Sequence, residues 1–131
     1  MASRTDASLF AQSAETPHLL AQRFGATRRL SLDLVATLSD ADASAQSMPD
    51  ASPAKWHLAH TTWFFETFIL RDHVAGYSLF DDRYSFLFNS YYEALGPRVE
   101  RPERGLMTRP SLDEVLAYRQ EIDRRMTNWL A

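Results

Sequence analysis

The chain has 131 residues, a formal net charge of -3 and no cysteine, which is enough for one domain with a modest core. Its slightly acidic balance provides no basic field to attract nucleic acid or anionic lipid. The lack of cysteine excludes disulfides, thiolate metal ligands and a cysteine nucleophile. No apolar run is long enough to cross a bilayer, and residues 1–16 lack the apolar core of a signal peptide. We therefore expect a cytoplasmic protein that binds neither nucleic acid nor membranes.

The first predicted element is a helix over residues 17–38, preceded by a small, polar and loose tail over residues 1–16. Pro17 suits the first turn of this helix. Six residues recur at spacings of three, four and seven and therefore share one face. They are Leu20, Phe24, Thr27, Ser31, Leu34 and Leu38. A loop rich in Asp, Ala and Ser follows.

The second helix is predicted over residues 53–74, with Ser52 as its N-cap and Gly76 just beyond its end. It is apolar nearly all round, apart from a narrow polar strip of Lys55, Thr62 and Glu66. Such a helix is typical of a buried position. Two partner helices would not cover it.

The third helix is predicted over residues 112–130, because Ser111 and Glu114 form a capping box. Its apolar stripe still includes Trp129 where the sequence ends. We therefore expect an all-α four-helix bundle of the up-down type over residues 17–131, with the fourth helix missing from this chain.

Residues 77–110 connect the second and third helices and are rich in aromatic side chains, and long connections are often functional. The string FLFNSYYE within them predicts either a hydrophobic plug over the bundle or a site at which Tyr91 and Tyr92 supply a proton or a hydrogen bond. Arg104 and Arg109 follow. They are either solvated charges or a clamp for a carboxylate.

His60 is the candidate metal ligand, since Trp56, Trp63, Phe64 and Thr67 lie within about 60° of it around the helix. The alternative is a core histidine held by one hydrogen bond. His57 could approach the same metal but lies further round the helix. Glu66 lies about 120° from His60, which predicts a carboxylate on the helix surface.

Three strings occur in order along residues 20–130: SPAKWHLAHTTWFFE at 52–66, LFNSYYEALG at 87–96 and RGLMTRP at 104–110. Together they resemble the N-terminal bundle of the iron(II)-dependent sulfoxide synthases of ergothioneine biosynthesis. That bundle is of the DinB-like type, which other metal-dependent, thiol-using enzymes share.

The resemblance implies iron(II) held by three histidines, with O2 as co-substrate. It implies a reaction that joins a thiol, either cysteine or γ-glutamylcysteine, to hercynine and oxidises the sulfur to a sulfoxide. His60 matches the first ligand, and Tyr91 and Tyr92 match tyrosines near the iron. The other two ligands belong to a His-x-x-x-His-x-Glu string on a fourth helix, which this sequence lacks. It also lacks the C-terminal domain of these enzymes.

We therefore expect part of such an oxygenase, inactive alone, whose site a separate chain or a missing C-terminal region completes. Arg104 or Arg109 is expected to contact a substrate carboxylate. Two alternatives remain open. One is a DinB-like metal-dependent thiol S-transferase, and the other is a non-catalytic helical module that binds a partner.

Overall fold

The structure, a computed structural model, describes residues 2–131, with side chains from residue 16 onward except that of Glu93. The helices in chain order are α1 (Ala2–Val35), α2 (Asp40–Ser44), α3 (Ala54–Phe65), α4 (Arg71–His73), α5 (Tyr84–Phe88) and α6 (Leu112–Leu130). A π-helical turn (Glu66–Leu70) joins α3 to α4, and 3-10 turns occupy Glu93–Leu95 and Arg101–Leu106. Residues 2–131 contain no β-strand, so the predicted all-α class is confirmed. No helix in this range is long and apolar enough to cross a membrane.

A local sequence signal accounts for the start of α6 but not for that of α3, where the N-cap is Pro53 and not the predicted Ser52, and no side chain caps the helix. At α6 the Ser111 hydroxyl accepts a hydrogen bond from the Glu114 N–H, and the Glu114 side chain accepts one from the Ser111 N–H. The predicted bounds of this helix are therefore confirmed. By contrast, α1 begins at Ala2 and runs through Pro17, so Pro17 does not lie in its first turn. The side chains of residues 1–15 lie outside the described part, and the loose tail over residues 1–16 stays a prediction.

The helices α1, α3 and α6 pack together, but they do not alternate in direction. The helix α3, the π-helical turn and α4 form one continuous helical segment over residues 54–73. Arg119 of α6 contacts Leu58 near the start of this segment, and Trp129 near the end of α6 contacts His73 at the end of the segment. The helices α3 and α6 are therefore parallel. Contacts between Phe24 and Phe65 and between Arg28 and Thr61 show that α1 runs the opposite way. The predicted up-down alternation is wrong for these three helices, because residues 74–111 are long enough to carry the chain back before α6 begins.

The buried face of α1 differs from the predicted stripe. Leu34 is 75% exposed, whereas Arg28 is only 4% exposed. The Arg28 guanidinium donates hydrogen bonds to Asp123, Thr61 and Thr62. A buried ion pair with these polar partners compensates the desolvation of the guanidinium, so the interface turns towards Arg28 and away from Leu34.

The polar strip of the predicted helix over residues 53–74 is also buried, although the sequence predicted that Glu66 lies on the helix surface. Lys55, Thr62 and Glu66 are all within the protein, and Glu66 is 1% exposed. Its carboxylate accepts hydrogen bonds from the Tyr77 and Tyr118 hydroxyls, each at 2.7 Å, and from the Phe80 N–H at 2.9 Å. The prediction of a surface carboxylate is therefore wrong, because two other segments, residues 77–80 and α6, supply its partners.

Candidate functional site

His60 lies in α3 between two indole rings. Its imidazole stacks on Trp56, with ring centroids 4.5 Å apart and planes 10° apart, and faces Trp63 at 5.7 Å. Its Nδ1 lies 2.6 Å from the carbonyl oxygen of Phe88, at the end of α5. Phe88 is itself anchored in the core, since it is 2% exposed and packs on Tyr84. Stacking on Trp56 thus fixes the plane of the half-buried imidazole, and the contact with the Phe88 carbonyl fixes the rotation of the ring within that plane.

This contact determines which nitrogen of His60 carries the proton. A carbonyl oxygen can only accept a hydrogen bond, so Nδ1 must be the donor. In the neutral imidazole the lone pair then lies on Nε2, the nitrogen that can bind a metal or accept a proton. Burial lowers the pKa of His60, and the nearby positive charge of Arg104 lowers it further. Both effects favour the neutral form of the imidazole.

His60 lines an open cleft of about 470 Å³. Side chains from three parts of the chain form its walls: the loop before α3, α3 itself and the segment after α5. The lining residues are Asp50, Ala51, Ser52, Trp56, His57, His60, Ser90, Tyr91, Arg101 and Arg104. We call this space the His60 cleft.

Arg104 covers the Trp56 indole, at 3.6 Å from the guanidinium carbon to the ring centre. The guanidinium donates a hydrogen bond to the Ser52 hydroxyl at 2.9 Å and is 3% exposed. Its Nε is buried and has no hydrogen-bond partner among the described residues. Burial lowers the pKa of Arg104 to about 10, and the charge of Arg101 contributes. Arg104 is therefore charged at neutral pH and held in place by cation–π contact.

The two candidate tyrosines have different environments. Tyr91 lines the His60 cleft and is 73% exposed, and its hydroxyl accepts a hydrogen bond from Arg101. Tyr92 is half-buried and packs against Trp63 and Phe68. Tyr91 thus belongs to the wall of the cleft, whereas Tyr92 packs against the Trp63 ring.

Arg109 is separated from Arg104. It is an exposed residue whose guanidinium donates to Glu114 at 3.0 Å. It lines a second pocket, of about 640 Å³, together with Tyr84, Phe86 and Pro110. Of the two arginines singled out in the sequence, only Arg104 belongs to the His60 cleft.

The side chains that the structure describes do not form a complete metal site. Across the side chains that the structure describes, no three His, Asp or Glu residues lie close enough together to hold a metal ion. His57, the nearest additional imidazole, is exposed and meets Trp56 edge-on at 5.3 Å. The His60 imidazole has the fixed orientation that a metal ligand needs.

Sequence reasoning missed several participants in the site. The Phe88 carbonyl has no sequence signature, since every residue carries one. Ser52 was singled out only as an N-cap, and Arg101 was not singled out at all. The contact between Arg104 and Trp56 joins residues far apart in the chain, and only the string RGLMTRP drew attention to Arg104.

A sequence profile of the DinB superfamily matches residues 23–131. The match begins within α1 and includes every other element of the fold. No curated protein matches the chain.

Proposed function

The chain belongs to the DinB superfamily, and from this premise we propose that it forms part of a metal-dependent enzyme in which His60 is one protein ligand. One observation carries the proposal: the bond from Nδ1 to the Phe88 carbonyl leaves Nε2 free. Metal-binding histidines characteristically donate their second N–H to a carbonyl or carboxylate, which fixes the tautomer and the ring orientation. The stacking of His60 on Trp56 adds to this orientation.

We propose iron(II) as the metal and O2 as co-substrate, on the strength of the three sequence strings. Bound iron(II) would supply open coordination positions for O2 and a thiol sulfur. The proposed reaction joins cysteine or γ-glutamylcysteine to hercynine with oxidation of the sulfur, as in ergothioneine biosynthesis. In this proposal the two further ligands come from outside residues 16–131, either from another region of the same protein or from a separate chain, which agrees with the lack of a three-ligand cluster among these side chains.

The residues of the His60 cleft have separate roles in this proposal. Arg104 binds the carboxylate of the thiol substrate, because its guanidinium is charged, fixed on Trp56 and beside the cleft. Tyr91 donates a hydrogen bond or a proton from its exposed hydroxyl. Arg101 donates to that hydroxyl oxygen, which leaves the hydroxyl proton available for donation.

The test compares metal binding by two proteins, the 131-residue chain and a version extended by a helix with the His-x-x-x-His-x-Glu string. Anaerobic titration with iron(II) should show one tight site in the extended protein and only weak binding in the chain alone. His60→Ala should lower the affinity of the extended protein by at least about 100-fold.

The matched control is His57→Ala, which removes an imidazole three residues away on the same helix. We expect this variant to bind iron(II) within about threefold of the parent, because its imidazole is exposed and carries no orienting bond in the structure. Equal losses in both variants, or tight stoichiometric binding by the unextended chain, would refute the assignment of His60.

The superfamily match also fits a second function, a metal-dependent thiol S-transferase without O2 chemistry. The two functions differ in their products. Incubating the completed protein with hercynine, cysteine and iron(II) under air gives a sulfoxide and consumes O2 in the first case. In the second case the thiol is transferred without O2 uptake.

A further inference from the structure

The 3-10 turn Arg101–Leu106, which carries two arginines of the His60 cleft, is held by the side chain of Gln46. Gln46 lies in the loop between α2 and α3. Its Oε1 accepts a hydrogen bond from the Gly105 N–H at 2.7 Å, and its Nε2 donates one to the Arg101 carbonyl at 2.7 Å. One side-chain amide thus pairs with both ends of the turn, as a neighbouring peptide group would.

This pairing requires a glycine at position 105. A Cβ atom there would lie 2.7 Å from the Cβ of Gln46 and 2.8 Å from its Oε1. The first of these atoms is bonded directly to the backbone and cannot swing aside. Any larger residue would push the turn away from the loop. The contact therefore gives a physical reason for the glycine in the string RGLMTRP.

The position of the turn sets the position of Arg104. Arg104 precedes Gly105 directly, and its guanidinium lies on Trp56 and donates to Ser52. The Trp56 indole also stacks on the His60 imidazole. A continuous set of contacts therefore leads from Gln46 through the turn to the imidazole.

We propose that Gln46 and Gly105 are positioning residues of the His60 cleft, which hold Arg104 against Trp56 and so fix the point at which an anionic substrate group binds. This role for the cleft rests on the proposed function. The anchoring of Arg104 does not, and it can be measured without metal or substrate.

The experiment measures how fast each arginine reacts with p-hydroxyphenylglyoxal, followed by mass spectrometry of peptides, in the full chain. Gln46→Met keeps the volume of the side chain but removes both hydrogen bonds. We expect the reaction of Arg104 to accelerate by about thirtyfold, the effect of losing two hydrogen bonds of ordinary strength. Gly105→Ala should act in the same way, and the double variant should be no worse than the more severe single variant.

Other arginines serve as internal references. Arg28 and Arg119 are buried in the helix interface and should remain protected, while the exposed Arg109 should react equally in all variants. Gln120→Met, on the exposed side of α6, is the matched control and should leave Arg104 protected. Gln46→Glu, which keeps the acceptor for Gly105, should give intermediate protection and provides a second variant if Gln46→Met fails to fold.

Two results would overturn the proposal. Arg104 could stay as protected in Gln46→Met and Gly105→Ala as in the parent. Alternatively, Arg28 and Arg119 could lose protection together with Arg104, which would make Gln46 a support of the whole fold. Neither result depends on metal binding, so a failure here is distinct from a failure of His60 as a ligand.

Discussion

Replacing Glu66 by glutamine should strongly destabilise the chain, because the carboxylate joins three parts of the fold. It accepts hydrogen bonds from Tyr77, Phe80 and Tyr118, and the Arg125 guanidinium lies 3.9 Å away. A hydrogen bond to a charged acceptor contributes about 1 kcal/mol more than one to a neutral acceptor. In glutamine an NH2 group, which cannot accept a hydrogen bond, replaces one of the two oxygens, so we expect a loss of at least about 3 kcal/mol in the free energy of unfolding over the three bonds. That is a large share of the stability of an ordinary domain.

The assay is urea unfolding, followed by far-UV circular dichroism and by tryptophan fluorescence. Glu66→Gln should lower the midpoint without changing the m-value, since the same surface is exposed on unfolding. Glu103→Gln, at an exposed position, is the control and should change the stability by less than about 0.5 kcal/mol. A double-mutant cycle with Tyr118→Phe should show coupling of about 1 kcal/mol. A loss below about 1 kcal/mol for Glu66→Gln, with the m-value unchanged, would refute the reasoning.

Three further predictions follow from the same structure. Arg104→Lys should raise the KM for the thiol substrate in the completed enzyme about tenfold or more, because lysine cannot reproduce the planar contacts of the guanidinium. Arg109→Lys is the control and should leave this KM unchanged. Equal effects of the two substitutions would contradict the separation of Arg104 from Arg109. The isolated chain should self-associate in sedimentation experiments, because Leu30, Leu34 and Trp129 are exposed apolar side chains; a compact monomer at all concentrations would count against this. The hydrogen bonds from Arg124 and Arg125 lower the pKa of Glu121 from 4.5 to about 2. The ionised Glu121 carboxylate therefore stabilises the folded state above pH 4.5, and this stabilisation is lost as the pH falls towards 2. The difference in melting temperature between the parent and Glu121→Gln should therefore shrink over that range, and a constant difference would contradict it.

Signals within one segment determined several features of this protein. The capping box at Ser111 defined α6, because its two hydrogen bonds involve residues only three positions apart. The spacing of Trp56, His60 and Trp63 placed the imidazole between two indoles, because that arrangement follows from helical geometry alone. The strings at 52–66, 87–96 and 104–110 also led to the DinB-like class, which the profile match over residues 23–131 confirms.

Contacts between distant segments decided the rest. Helical periodicity placed Glu66 on the surface, but partners from residues 77, 80 and 118 bury it. Periodicity likewise favoured Leu34 over Arg28 for the buried face of α1, since it counts apolar residues and cannot foresee an ion pair with Asp123. Contacts between distant segments also decided three other features. These are the parallel course of α3 and α6, the separation of Arg104 from Arg109, and the hydrogen bond between Gln46 and Gly105. Each depends on how the connection at 74–111 folds back, and a single helix or string contains no information about that path.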